Sequence, residues 1–243
     1  MSDFADKAAL VTGAGSGIGE ACASMLADRG ASVLIADVNF DAATRVAEAI
    51  GKRAVAHEVD VRDPKACEAM VAAAVDAFGR IDVAVNNAGI SGPRAVTAEY
   101  PLDAWEDVIA VDLNGVFYSM RAEIPAMLGN GGGSIVNVAS VMGSVGLPRS
   151  VAYVAAKHGV VGMTKSAALE YARQGIRVNS VGPGFIQAPM LKQEGAAGAA
   201  YLHPMCRLGR CDEVAELIAF LASDRASNTT GSYFVSDGGY SAQ

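Results

Sequence analysis

Short apolar runs alternate along the chain with longer segments whose apolar positions recur every three or four residues. Lys7–Val11, Ser32–Ala36, Ala54–Val59, Ile81–Val85, Ser134–Val138, Arg177–Val181 and Tyr233–Val235 read as strands. Most are apolar at consecutive positions, as strands buried on both faces of a parallel sheet must be. The longer segments read as helices with legible ends. One has Asp63 as N-cap and Pro64 at its first position, then Cys67, Met70, Val71, Ala74 and Phe78 along one face, and Gly79 as its stop. A second runs from about Gly17 to Gly30, and a third follows the good N-cap Asn39 to Ile50. This β-α-β-α rhythm predicts an α/β fold, a doubly wound parallel sheet with helices on both faces and right-handed crossovers.

The 243 residues show no composition shift, repeat or charge block that would mark a linker, so residues 1–243 read as a single domain. A formal charge of −7, with basic residues scattered singly, excludes a nucleic-acid partner, because phosphate binding needs clustered Lys and Arg. No apolar stretch approaches the roughly 18–20 residues of a membrane span, and the N-terminus is acidic where a secretory leader is basic. Cys22, Cys67, Cys206 and Cys211 have neither zinc-ligand pairing nor a disulfide pattern, so no metal and a reduced, cytoplasmic setting are expected. Two stretches break the rhythm. Gly129–Gly133 is a loose turn, and Met190–Pro204, rich in Gly and Ala, lies within an expected substrate lid at about residues 187–205.

The first strand runs into Thr12-Gly13-Ala14-Gly15-Ser16-Gly17-Ile18-Gly19. Gly13 permits a tight turn, Gly17 a close backbone approach and Gly19 close packing of the following helix. Backbone N–H groups at that helix start then face a pyrophosphate, where the helix dipole favours an anion. Asp37 ends the second strand eighteen residues after Gly19, the position of a carboxylate that binds adenosine ribose hydroxyls. It would also repel a 2′-phosphate. Two unit charges about 4 Å apart at an effective dielectric near 20 interact by roughly 4 kcal/mol, so NAD is expected rather than NADP.

Tyr153 and Lys157 are four residues apart at the start of a helical segment and share a face, and Ser140 lies just past the fifth strand. In a doubly wound sheet the carboxyl ends of the strands border the ligand crevice, which puts Ser140 on the side of the glycine turn.

With these motifs in this order, the chain resembles the short-chain dehydrogenase/reductase family over almost its whole length. The resemblance rests on Thr12–Gly19, Asp60-Val61, Asn86-Asn87-Ala88-Gly89, Asn114, Ser140, Tyr153, Lys157 and Pro183-Gly184. It implies a Rossmann-like sheet of seven parallel strands, NAD(P)-dependent oxidoreduction at a carbinol or carbonyl carbon, and a homotetramer. It further implies that Tyr153 is the general acid/base and that Lys157 binds the nicotinamide ribose and lowers the tyrosine pKa. Ser140 would polarise the substrate oxygen, and Asn114 would support a water linking Lys157 to solvent. Gly13, Gly15, Ser16, Gly17, Ile18 and Gly19 would cradle the pyrophosphate, and Asp60 and Val61 would flank the adenine. Asn87, Ala88 and Gly89 would pass beside the ribose, and Pro183, Gly184 and Ile186 would back the nicotinamide. An ordinary tyrosine ionises near pH 10, so a base working near neutrality needs roughly 4 kcal/mol of phenolate stabilisation, which an adjacent ammonium has the sign to supply.

One position departs from the resemblance. Ala188 stands where the family usually has a threonine that bonds the nicotinamide carboxamide, which leaves that task to Gln187 or to backbone. His57, His158 and His203 share no ligand spacing and read as structural, while Trp105, Val108, Ile109, Phe117 and Met120 read as core or subunit contact. The substrate end is expected from Ser91, Gly92, Pro93, Val141, Met142, Phe185, Gln187 and the lid, without a cationic clamp. That favours a small neutral secondary alcohol, a diol or a cyclic ketone. A reductase of carrier-bound acyl chains and a non-enzymatic nucleotide sensor are the competing readings. Asp37 and the net acidity weigh against the first, and the retained Ser140, Tyr153, Lys157 and Asn114 against the second.

Overall fold

The computed structural model describes residues 3–190 and 198–242. The apolar runs become β1 (Ala8–Thr12), β2 (Ser32–Asp37), β3 (Ala54–Glu58), β4 (Val83–Asn86), β5 (Gly133–Val138), β6 (Ile176–Pro183) and β7 (Tyr233–Ser236). They form one sheet in the order β3-β2-β1-β4-β5-β6-β7, and each neighbouring pair is parallel. The expected strands are all present, with small shifts at their ends. β3 is an edge strand, which leaves Val55 exposed.

The helices are α1 (Gly17–Asp28), α2 (Phe40–Ile50), α3 (Pro64–Phe78), α4 (Leu102–Ile109), α5 (Gly115–Gly129), α6 (Val151–Tyr171) and α7 (Cys211–Ala222). The expected ends are in place. Asp63 caps α3 by accepting from the Lys65 N–H, and Gly79 ends it in the left-handed conformation at φ 78°. Asn39 caps α2 by accepting from the Ala42 N–H. One face of the sheet is covered by α1, α2 and α7 and the other by α3, α5 and α6. Cys22 is fully buried against the first of these layers, and burial pushes its thiol up to about 12, as befits a small core residue. No helix among the described residues is long and apolar enough to cross a membrane.

Strand order reverses direction between β1 and β4, so their carboxyl ends open a crevice. A buried polar cluster lies beneath it. The Asn86 amide at the end of β4 donates to Glu123 Oε2 at 3.1 Å and to Asn137 Oδ1 at 3.0 Å, and Asn137 donates to Thr164 Oγ1 at 3.0 Å. Burial lifts the Glu123 carboxyl to about 8 against an ordinary 4.5, despite the Asn86 bond. The acid form is therefore favoured by folding. Its contribution is complete below pH 4.5 and is lost as pH rises through 8, at up to about 1.4 kcal/mol per pH unit. Glu123→Gln is expected to leave stability unchanged near pH 4 and to raise it above wild type by several kcal/mol at pH 8. Chemical denaturation at the two pH values measures the difference, and parallel losses at both would contradict it.

Candidate active site

The glycine turn is held from the neighbouring strand end. Gly13 and Gly17 take φ +62° and +60°, where a side chain would be strained. Thr12 Oγ1 accepts from the N–H groups of Asn87 at 3.0 Å and Ala88 at 3.2 Å. The Asn87 amide donates to the carbonyls of Thr12 at 3.0 Å and Gly13 at 3.1 Å. A Cβ at Gly19 would strike the Gly13 carbonyl and the Asn87 amide. Gly19 thus makes room for the turn itself rather than for packing of the helix on the sheet.

Asp37 closes the other side of the turn. Its Oδ2 accepts from the Gly15 N–H at 2.8 Å and its Oδ1 from the Asn39 N–H at 2.9 Å. Both oxygens retain lone pairs for a further donor. Arg45, which donates to the Gly15 carbonyl at 2.9 Å, is paired with Glu20 at 2.8 Å.

A cleft of about 940 Å³ runs along the carboxyl ends of the strands. Its walls include Gly13, Ser16, Gly17, Ile18 and Asp37, then Asp60, Val61, Asn87, Ala88 and Gly89, and finally Ser140, Tyr153, Lys157, Pro183, Gly184 and Ile186. Arg62 holds Asp60 at 2.7 Å and pulls its carboxyl below the usual range. At the far end stand Ser91, Pro93, Val141, Met142, Phe185 and Met190, together with Leu147 and Arg94. Gly92 and Gln187 are not in the wall, and Gln187 is exposed, so Ala188 faces the cleft without that substitute. Arg94 adds a cation to a wall expected to lack a cationic clamp. Its guanidinium donates to the Pro148 carbonyl at 3.2 Å.

Ser140 follows β5 and is nearly buried. Its Oγ accepts from the Met142 N–H at 3.2 Å, and its carbonyl accepts from the Tyr233 hydroxyl at 2.6 Å. Tyr153 and Lys157 sit on the first turns of α6, with Lys157 Nζ 5.5 Å from the centroid of the Tyr153 ring. The ammonium donates to the Val138 carbonyl at 3.2 Å and pairs with Asp112 Oδ2 at 3.2 Å. Burial opposes this charge, but the Asp112 carboxylate beside it outweighs burial and holds Lys157 above the ordinary lysine range.

Asn114, expected to support a water beside Lys157, stands apart from the other expected residues. Asn114 does not line the cleft, and the group against Lys157 is the carboxylate of Asp112. Between α4 and α5 the chain makes one π-helical turn, Ala110–Asn114. The sequence carried a signal for Asp112. It falls at i+7 from Trp105, on the stripe of Val108 and Ile109, where a charge is out of place.

His203 is buried, and its Nε2 accepts from the Phe185 N–H at 3.1 Å, which anchors the chain just after Pro183-Gly184. The expected lid at about 187–205 falls partly on residues 191–197, outside the described residues. No cluster of metal-ligating side chains occurs among the described residues.

A family model described as enoyl-(acyl carrier protein) reductase matches residues 13–241. The chain is 49% identical to a cyclohexanol dehydrogenase of Acinetobacter sp. (strain SE19), over 99% of this chain and 97% of that protein. It is 46% identical to a cis-4-hydroxycyclohexanecarboxylate dehydrogenase of Sinomonas cyclohexanicum, over 98% of each. Among solved structures, a 3-ketoacyl-(acyl-carrier-protein) reductase from Brucella melitensis complexed with NADH superposes with a TM-score of 0.94. It shares 37% identity and covers 98% of this chain and 99% of its own.

Proposed function

Because the chain belongs to the short-chain dehydrogenase/reductase family, we propose that it is an NAD-dependent dehydrogenase of neutral cyclic secondary alcohols, interconverting them with their ketones. The observation that carries this reading is one cleft with Asp37 at one end and Ser140, Tyr153 and Lys157 at the other. The similarity to enzymes named for cyclohexanol and hydroxycyclohexanecarboxylate supports a ring-bearing alcohol.

The residues present fit a dinucleotide. The turn at Gly13 and Gly17 has the left-handed backbone that exposes N–H groups at the start of α1, and Asp37 lies where ribose hydroxyls would donate. When bound, the nicotinamide supplies the hydride acceptor or donor. Ser140 Oγ would hold the substrate oxygen, and Tyr153 would take the hydroxyl proton during oxidation and return it during reduction. Lys157, whose Nζ lies 5.5 Å from the centroid of the Tyr153 ring, would hold the nicotinamide ribose. The apolar side chains of Val141, Met142, Leu147 and Phe185 would shape a pocket for a ring and exclude water. We also propose the lid at about 187–205 and a single functional domain across the chain. A homotetramer is supported by the exposed Leu102, Trp105, Phe117 and Leu169.

Asp37 sets the cofactor. Wild-type enzyme is expected to use NAD far more efficiently than NADP, and Asp37→Asn to narrow the ratio of the two kcat/KM values by at least about tenfold. Equal efficiencies in the wild type would refute this role. The substrate class is tested by NADH formation with cyclohexanol, cyclohexanediols, cis-4-hydroxycyclohexanecarboxylate and a 3-hydroxyacyl carrier thioester. Neutral rings should give the highest kcat/KM. Preference for the carboxylate would assign Arg94 to substrate, and preference for the thioester would replace the proposal with the carrier-bound reading.

A further inference from the structure

Lys157 and Asp112 are both almost completely buried, and their charges meet at 3.2 Å beside Tyr153. Asp112 is fixed from its other oxygen, which accepts from the Ile90 N–H at 2.7 Å. The π-helical turn at Ala110–Asn114 delivers this carboxylate to the cleft wall, against the helix that carries both Tyr153 and Lys157. An ammonium paired in this way is a weaker source of positive field at the tyrosine than a free one. We propose that Asp112 is a positioning residue that sets the working pH, anchoring Lys157 against Tyr153 while offsetting its charge. The enzyme therefore reaches full oxidation rate at a higher pH than an uncharged residue at 112 would allow.

The charged and titratable groups around the pair are few. Lys157 and Tyr153 face Asp112 from α6, and Tyr100, whose pKa burial and the Asp112 charge both raise, faces it from the segment before α4. Tyr233 on β7 reaches Tyr153 electrostatically from the far side. Arg62, Asp60 and Asp107 line the same cleft, but Arg62 pairs with Asp60 at 2.7 Å and with Asp107 at 3.5 Å. Within this group, Asp112 is the anion paired with Lys157.

The inference rests on Tyr153 as the acid/base, so Tyr153→Phe is measured alongside. The test is the pH profile of kcat for NAD-dependent cyclohexanol oxidation in wild type, Asp112→Asn and Asp112→Ser. Removing the negative charge is expected to move the acid limb to lower pH by about one unit or more. An unmoved limb in folded variants would reduce Asp112 to a structural role, and an upward move would mean that it supports the charge of Lys157 rather than offsetting it. Either overturns the proposal. Turnover retained in Tyr153→Phe would instead remove the reading beneath it.

A second measurement needs only wild-type enzyme. In protein labelled with 15N at lysine Nζ, the Lys157 resonance should stay protonated beyond the ordinary lysine midpoint of about 10.4. Deprotonation below that midpoint would show that the pair does not hold in solution and would overturn the proposal even if neither variant folds.

Discussion

Tyr153→Phe is expected to lower kcat by about a thousand-fold while leaving NADH affinity within a few-fold of wild type. The change removes one oxygen and keeps the ring, so the packing of α6 against the α4 side of the molecule, where Tyr153 joins Tyr100, Val108, Ala152 and Ala156, is conserved. What disappears is the group proposed to accept the alcohol proton. Ser140 is not expected to take its place, because a serine hydroxyl, here accepting from the Met142 N–H, is too weak a base to receive the proton. Steady-state turnover with NAD and fluorescence titration with NADH separate the two quantities. Near wild-type turnover would sink the role, and equal loss of turnover and NADH affinity would show that the ring itself had moved.

Lys157→Met carries the second large effect, and it falls on stability as well as on rate. Methionine fills a similar volume, but it leaves the Asp112 carboxylate buried without its partner. Breaking a buried ion pair from one side costs about 3–5 kcal/mol, because the remaining charge is uncompensated. For a domain of this length that corresponds to a fall in Tm of about 10 °C. The deficit should shrink on acidification. An unpaired buried carboxyl has a raised folded-state pKa, so the folded protein takes up the proton first, and stability is recovered as pH falls. Thermal unfolding at pH 5 and pH 8 reads both effects. An equal Tm for wild type and variant at pH 8 would contradict the buried pair, and a pH-independent deficit would point to lost packing.

The parts of the fold that depend on neighbouring residues were legible in the sequence. α3 could be bounded because Asp63, Pro64 and Gly79 act within one turn of its ends, and α2 because Asn39 caps it locally. The strands could be found because double-sided burial leaves consecutive apolar residues. Gly13, Ser16, Gly17 and Ile18 of the glycine turn line one cleft with Ser140, Tyr153 and Lys157, since topology places every strand end on one side.

What escaped depends on contacts between distant segments. The two tasks of Asp37, closing the glycine turn and facing the cleft, need a residue 22 positions away. Tyr233 steadies Ser140 across a separation of 93 residues. Asn87 was expected beside a ribose, and nothing local indicates that its amide pins Thr12 and Gly13. The place of Asp112 was hidden for a different reason. A single π turn resets which side chains of a long helix face the cleft, and the pattern of residues gives no warning of it.

The central claim is hydride transfer from a ring carbinol carbon to NAD with Tyr153 taking the proton. It is tested most directly with cyclohexanol carrying deuterium at the carbinol carbon. Wild-type enzyme should place one deuterium on each NADH formed, seen by mass spectrometry, and Tyr153→Phe should form almost none. NADH without the label, or labelled NADH at an undiminished rate in Tyr153→Phe, would contradict the account.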